Sequence, residues 1–280
     1  MKPEIVALLV IFAAFAMAEA LRTGLFRKTG QRSKDVAVEV IGSLVLLAVT
    51  QPLVLLTSGA LMARGFPGLE NSLAGAPIVL QIGLLLIFDD MMQYWWHRLS
   101  HTVPWLYKLH RPHHDAPYMS IRIVYRNNIF YYALMPSLWF AGALIYMGLG
   151  TVYAFYLVFK LTIIYGAHSD VRWDAPLYRV AWLSPLMWLV ERTISTPATH
   201  SAHHGRHADD GVTHYKGNFG NLLFFWDVLF GTAKITRRYP PAYGVENLHE
   251  AGVGEQLLWP IVPSAEGKAP VSAGEVQGGA

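Results

Sequence analysis

The sequence has no cysteine, little charge and no glycine-rich loop of the kind that holds phosphates or dinucleotides. The lack of cysteine excludes disulfide-stapled folds, thiolate zinc sites, haem–thiolate sites and iron–sulfur clusters. Charged residues make up only 15% of the 280 residues, against about 25% in a typical soluble protein. By contrast, 53% are hydrophobic and the mean hydropathy is +0.31. This composition excludes an intrinsically disordered chain and argues against a water-soluble domain.

Five apolar runs have the composition of membrane-spanning helices, which need about 20 residues. The runs are Ile5–Leu21, Val36–Thr57 with a kink expected at Pro52, Pro77–Met92, Ile129–Gly148 and Thr151–Ala167, the last two joined by a short reversing turn. A further run, Leu177–Leu189, is shorter and is expected to be an interfacial or buried helix. The predicted fold is therefore all-α: an integral membrane bundle of about four to five transmembrane helices with a cytosolic, histidine-rich helical cap.

Basic residues are concentrated between the first two runs, at Arg22, Arg27, Lys28, Arg32 and Lys34. Because Lys and Arg favour cytoplasmic loops, this loop is predicted to be cytosolic. Five spans then place the amino terminus outside, and put the loop 95–128 and everything after His168 in the cytosol. The same bias accounts for the pI near 9.0, so no nucleic-acid partner is needed. The predicted location is a bacterial inner membrane or the endoplasmic reticulum.

Nine of the twelve histidines fall into four groups. HRLSH supplies His97 and His101, HRPHH supplies His110, His113 and His114, YGAHSD supplies His168, and HSAHH supplies His200, His203 and His204. Helix positions i and i+3, or i and i+4, share one face. We therefore expect the first two histidines of each HxxHH at one ion, with the third reaching a neighbouring ion. Neutral imidazole is a common transition-metal ligand, and nine exceed the capacity of one ion, which predicts two ions.

The residues around these groups carry a family resemblance. HxxxH, HxxHH and a second HxxHH lie in this order within YWWHRLSHTVPWLYKLHRPHH and TPATHSAHH, with AHSDVR between them and NFGN and WDVLFGT after them. The pattern resembles the fatty acid hydroxylase/sterol desaturase superfamily over about residues 77–262. The resemblance implies a catalytic domain there, preceded by an N-terminal transmembrane hairpin at residues 1–76. Residues 263–280, rich in Gly, Ala, Pro and Val, are expected to be a disordered tail.

By position, the resemblance assigns the metal ligands to His97, His101, His110, His113, His114, His168, His200, His203 and His204. It implies two iron ions, with zinc as a substitute in a purified sample, that activate dioxygen at the membrane surface. Ligating imidazoles usually donate their second N–H to an acceptor. Asp90, seven residues before His97 on the same helical stripe, is the first candidate, and Asp89, Asp170 and Asp227 are further ones. His207, His214 and His249 stand alone, as packing or surface histidines usually do.

An unactivated C–H bond needs an oxidant that protein side chains cannot supply, so a redox metal suits a hydroxylase. We therefore expect a membrane-bound, iron-dependent monooxygenase that inserts oxygen into a lipid; acyl chains, sterols, ether lipids and head groups remain open as substrates. Because no flavin, haem or nicotinamide motif is visible, a small haem protein or a ferredoxin with its reductase is expected to supply two electrons.

Two alternatives remain. Within the superfamily, a lipid or sterol desaturase uses the same di-metal centre. Outside it, the chain is a non-redox metal-binding or metal-transport membrane protein, although a transporter would place its ligands near the membrane midplane.

Overall fold

The computed structural model describes residues 3–248 and 250–264 and confirms the prediction of an all-α fold. In this part of the chain the nearest approach to a sheet is one isolated bridge between Gly205 and Tyr243. Residues 265–280 of the predicted tail lie outside the described residues. The domain boundaries near residues 76 and 262 stay predictions.

The chain begins with three long helical stretches. They are α1 (Pro3–Arg22), α2 (Ser33–Val45) continuing through a π-helical turn at Leu46–Thr50 into α3 (Gln51–Gly65), and α4 (Ile78–Leu85) continuing through a π turn at Leu86–Met91 into α5 (Met92–Ser100). Next come α6 (Pro104–His114), α7 (Ile129–Ala133), and a last long stretch of α8 (Pro136–Leu144), a π turn at Ile145–Leu149 and α9 (Gly150–His168). The remaining helices are short: α10 (Ala175–Tyr178), α11 (Ser184–Thr193), α12 (Pro197–His203), α13 (Phe225–Leu229) and α14 (Val253–Leu258).

Four helical stretches are long and apolar enough to cross a membrane: Pro3–Arg22, Ser33–Gly65, Ile78–Ser100 and Pro136–His168. Large apolar side chains project outward from them; Val79 and Phe155, for example, are 78% and 76% exposed. A soluble protein would bury such side chains, whereas a lipid bilayer solvates them. The chain therefore has the architecture of an integral membrane protein. Which side of the membrane carries the histidines stays a prediction.

Prolines account for two features of the predicted spans. Near Pro52, where a kink is expected, a π turn ends at Thr50; proline lacks the N–H that would continue the α-helical hydrogen bonding. The predicted fourth run does not form one helix from Ile129. Met135 is extended (φ −70°, ψ 115°), as residues before a proline usually are, so that α7 ends and a separate α8 begins at Pro136.

The last long stretch is interrupted at Gly148, whose φ of 105° is left-handed and non-helical. Both ends of this stretch lie at the histidines: Tyr131, just before it, stacks on His110 with ring centroids 4.8 Å apart, and His168 at its end contacts His113. The chain must therefore reverse near Gly148, so that Pro136–His168 is a pair of helices joined by a turn and not a single straight crossing, as the fourth and fifth predicted runs require.

The basic loop between α1 and α2 lies at the same end of the bundle as the histidines. Lys28 pairs with Asp170 at 3.0 Å, and Arg32 pairs with Asp115 at 2.8 Å. Both carboxylates lie within two residues of a predicted ligand. The loop and the histidine-bearing segments therefore share one face of the bundle, which is the arrangement that the charge bias predicts.

The predicted helix at Leu177–Leu189 is not continuous. It is divided between α10 and α11, and the second residue of each helix is a proline, Pro176 and Pro185. Trp182 and Trp188 on this segment are 79% and 54% exposed. Exposed tryptophan is typical of the membrane–water interface, so the segment suits an interfacial position better than a buried one.

Candidate metal centre

The fold brings all nine predicted ligands together, although 107 positions separate the first from the last. They form two groups in which one ring nitrogen from each imidazole lies within 4.8 Å of all the others in its group. The five-histidine group contains His97, His101, His110, His114 and His203, and the four-histidine group contains His113, His168, His200 and His204. Two separate groups are what two ions require.

The two HxxHH segments each contribute to both groups, but in a different pairing from the one predicted. On α6, His110 and His114 join the five-histidine group, while His113 joins the other. On α12, His200 and the following His204 share the four-histidine group, while the intervening histidine joins the five. The reason is helix geometry: residues four apart differ by about 40° around the axis and residues three apart by about 60°, so i and i+4 lie closer to one stripe.

In the five-histidine group the Nε2 atoms face one another. The Nε2 of His203 lies 3.0 Å from that of His97, and the Nε2 of His114 lies 3.1 Å from those of His101 and His110. Nitrogen ligands at right angles around an ion, with metal–nitrogen bonds of about 2.1 Å, would be about 3.0 Å apart. The spacing of the donor atoms therefore fits a shared cation.

The four-histidine group has the same arrangement. The Nε2 atoms of His200 and His168 are 2.9 Å apart, those of His204 and His200 are 3.2 Å apart, and those of His168 and His113 are 3.3 Å apart. Here too the separations match neighbouring ligands of one ion.

Hydrogen bonds at Nδ1 fix which nitrogen of the ring faces inward. The Nδ1 atoms that have a carbonyl partner within 2.9 Å are those of His97 (Phe219 O), His203 (Gly217 O), His113 (Ile123 O), His168 (Ile164 O) and His110 (Asn127 Oδ1). A carbonyl oxygen can only accept, so Nδ1 must donate and Nε2 keeps its lone pair. Converging lone pairs repel one another unless a cation lies between them, which is how metal-binding imidazoles are normally oriented.

The predicted carboxylates have a different role from the one expected. In the described residues, none of Asp90, Asp170 and Asp227 bonds to a ligand imidazole. Asp90 accepts from the indole Nε1 of Trp226 at 2.8 Å, and Asp170 pairs with Lys28. Asp227 accepts from backbone N–H groups of the segment 219–220. The acceptors at the imidazoles are instead mostly backbone carbonyls, which have no signature in a sequence.

Burial keeps the imidazoles neutral. Eight of the nine are buried and His101 is half-buried. Desolvation lowers the pKa of His101, His110, His114, His200 and His203 well below 6.5, and neighbouring imidazoles lower the pKa further. The neutral ring is the form that can bind a metal, so these imidazoles have the protonation state that metal binding at neutral pH would need.

A cavity of about 590 Å³ runs from the histidines into the membrane-level part of the bundle. His97, His110, His113 and His168 line its inner end. Its walls are mostly apolar and come from several helices, including Leu8, Leu9, Phe12, Leu46, Leu138 and Leu157. The lining also includes polar side chains other than the histidines, among them Gln51, Asp89 and Lys160. Most of the cavity surface is nevertheless apolar, which suits an alkyl chain.

A second cavity, of about 290 Å³, reaches the five-histidine group at His101 and His114, which do not line the first cavity. Arg206, Lys216 and Glu246 line it, so this approach is polar. The five-histidine group therefore lines both cavities, and the four-histidine group lines the large one.

Two of the three lone histidines, His207 and His214, lie outside both groups. His207 is partly exposed and its Nδ1 lies 2.8 Å from the carboxylate of Glu246. His214 lies under the backbone at Gly217 and is half-buried. His249 lies outside the described residues.

A known protein family matches the part of the chain that carries the nine histidines. The family model described as "Fatty acid hydroxylase" matches residues 82–232, slightly more than half of the chain. The chain is similar to alkylglycerol monooxygenase of Danio rerio, with 29% identity over 144 residues, and of Homo sapiens, with 29% over 143 residues. It is 26% identical to that of Xenopus tropicalis over 145 residues. Each alignment covers 51% of this chain but only 28% of the relative. No solved structure matches the chain.

Proposed function

Since the chain belongs to the fatty acid hydroxylase family, we propose that it is a membrane-bound, iron-dependent lipid hydroxylase that uses dioxygen and two external electrons. The observation that supports this most is the pair of histidine groups at the inner end of an apolar cavity. Such a placement brings a metal centre and an alkyl chain into contact while helices exclude water from both.

We propose that the nine histidines hold two iron ions, one in each group. The separation of their Nε2 atoms, their neutral state and their Nδ1 hydrogen bonds all suit this role. Iron is proposed rather than zinc because bound iron supplies an oxidant strong enough for a C–H bond, which zinc, having no redox chemistry, does not. Zinc can still replace iron in a purified sample, since imidazole binds both.

The residues of the chain itself then bind and orient the lipid. The apolar walls of the large cavity hold an alkyl chain with one segment at His97, His113 and His168. Asn127 also lines the cavity, and its side-chain Oδ1 accepts a hydrogen bond from Nδ1 of His110, which keeps that ring in place. Because the relatives are named for alkylglycerol, we propose an alkylglycerol as the first substrate to test.

The electron donor is proposed to be a small haem protein or a ferredoxin with its reductase, acting from the cytosolic side. His101 is the one ligand that is half-buried, and it lies at the polar cavity. A donor at that side would approach the five-histidine group without entering the lipid cavity.

The test uses the full chain, purified in detergent and loaded with iron, with a chemical reductant and an alkylglycerol. We expect two irons per chain by plasma mass spectrometry, oxygen consumption that depends on lipid, and a product that has gained one oxygen atom. His113→Ala and His203→Ala should each lose iron and turnover, whereas His207→Ala, at a partly exposed histidine outside both groups, should keep both.

The alternatives give different results in the same assay. A product that has lost two hydrogens and gained no oxygen indicates a desaturase. If the protein binds metal but consumes no oxygen with the alkylglycerol or with any lipid of a cell lipid extract, it is a metal-binding or metal-transport protein. That result contradicts the proposal.

A further inference from the structure

We infer that Asp227 is a positioning residue for one of the two metal sites only, the five-histidine group. The inference rests on the proposed metal-binding role of the histidines. In the described residues Asp227 bonds to no imidazole; it acts through the backbone segment 217–220, which is Gly217 and the first three residues of the NFGN motif.

Both carboxylate oxygens of Asp227 accept hydrogen bonds that hold this segment in place. Oδ1 accepts from the backbone N–H of Phe219 at 2.8 Å and from the hydroxyl of Thr232 at 2.6 Å, and Oδ2 accepts from the N–H of Gly220 at 2.6 Å. The carboxylate is completely buried. Every one of these bonds needs an oxygen acceptor, so an ionised carboxylate is the side chain that satisfies all three.

The segment held in this way carries the acceptors of two imidazoles. The carbonyl of Phe219 accepts from Nδ1 of His97 at 2.7 Å, and the carbonyl of Gly217 accepts from Nδ1 of His203 at 2.7 Å. Both histidines belong to the five-histidine group, and their Nε2 atoms are 3.0 Å apart. One short segment therefore sets the tautomer and the direction of two neighbouring ligands.

The backbone of this segment is closely packed at both of its glycines. A Cβ on Gly217 would lie 2.1 Å from Nε2 of His214, and a Cβ on Gly220 would lie 2.9 Å from Oδ2 of Asp227. Asn218 takes a left-handed conformation, with φ of 57°, and donates to the carbonyl of Thr199 on α12. The carbonyls can face the imidazoles only while the segment keeps this shape.

The four-histidine group is supported elsewhere. Nδ1 of His113 donates to the carbonyl of Ile123, in the turn after α6, and Nδ1 of His168 donates to Ile164 within α9. Neither carbonyl belongs to the segment that Asp227 holds. Loss of the Asp227 contacts should therefore weaken one site and spare the other, which a general effect on folding would not do.

The test is the iron content of the full-length Asp227→Asn protein in detergent. The amide keeps the shape of the carboxylate but turns one acceptor into a donor that faces a backbone N–H. Because loss of a supporting acceptor typically costs 10–100-fold in metal affinity, we expect iron to fall from two per chain to one at limiting free iron. The remaining iron should give a mononuclear Mössbauer or EPR signature in place of that of the pair. His97→Ala should give the same half-loaded spectrum.

Gly220→Ala provides a second variant that keeps the carboxylate. Its Cβ would lie 2.6 Å from the carbonyl oxygen of Leu223 and 2.9 Å from Oδ2 of Asp227, so the segment must shift, and the variant should lose the same iron. Glu191→Gln is the matched control, because Glu191 is equally buried but pairs with Arg237, away from the segment; it should keep two irons. Retention of two irons by Asp227→Asn, or loss of both irons with the fold, would overturn the inference. If the unaltered protein itself fails to bind two irons, the proposed function fails instead.

Discussion

Replacing Lys160 by methionine is expected to destabilise the protein strongly, because it leaves a carboxylate unpaired inside the membrane-level part of the bundle. Lys160 Nζ lies 2.5 Å from Oδ2 of Asp89, and the hydroxyl of Tyr156 donates to the same oxygen at 2.8 Å. Both members of the pair are buried, on stretches apolar enough to cross a membrane. Removing one partner of a buried ion pair typically costs about 3–5 kcal/mol.

Replacing both partners should cost much less. In Asp89→Leu/Lys160→Met no charge is left, and such apolar replacement of a buried pair is often neutral or stabilising. We therefore expect a coupling free energy of about 3 kcal/mol or more between the two positions in a double-mutant cycle. The free energy of unfolding is measured by titrating mixed micelles with a denaturing detergent and following tryptophan fluorescence.

The ion-pair interpretation is refuted if the losses of the two single variants simply add in the double variant, or if neither single variant loses free energy. Either result would mean that the two side chains do not compensate each other's charge in the folded bundle. Iron content serves as the internal check, since neither residue lies in a histidine group.

Two further predictions concern the cavity and the turn. Leu157→Trp should fill the large cavity, which Leu157 lines, and should abolish lipid-dependent oxygen consumption while both irons stay bound. Leu56→Trp, at a side chain that is 73% exposed, should leave oxygen consumption and iron content unchanged. Normal turnover by Leu157→Trp would mean that the lipid binds elsewhere. Gly148→Ala places a Cβ 2.8 Å from Ala74 on a backbone with φ of 105°, so we expect a loss of about 1–3 kcal/mol in the same unfolding titration, and an unchanged free energy would contradict the reversal of the chain at this glycine.

Much of the site could be predicted because its chemistry is in side chains. Nine imidazoles at helical spacing in a chain so poor in charge indicated two ions before any geometry was known, and the structure divides them into two groups. The partition within HxxHH was predicted differently, because i+3 and i+4 both count as one face in a sequence pattern. Only the angle around the real helix decides that His110 joins His114 rather than His113.

The supports of the imidazoles could not be predicted in the same way. The sequence suggests carboxylates such as Asp90 and Asp227 as acceptors, but the acceptors are the carbonyls of residues such as Phe219 and Gly217. Every residue has a carbonyl, so no residue type marks one that accepts from a histidine. The NFGN motif was visible, yet what it does depends on a contact with α5 across 122 positions of chain.

In the fold, too, features set by neighbouring residues can be predicted from the sequence, whereas contacts between distant segments cannot. The extended Met135 before Pro136 follows a local rule and could have been found in the sequence. The pairing of the basic loop with Asp170 and Asp115 could not, because it joins segments 142 and 83 positions apart. Burial of these pairs depends on how the helices pack, which hydropathy alone does not determine.

The most direct test of the central claim is an anomalous difference map, recorded at the iron absorption edge, from crystals of the iron-loaded protein. We expect two peaks in each chain. One should lie among the Nε2 atoms of the five-histidine group and the other among those of the four-histidine group, both beside the large cavity. A single peak, or peaks bound by other residues while the nine imidazoles stay metal-free, would contradict it.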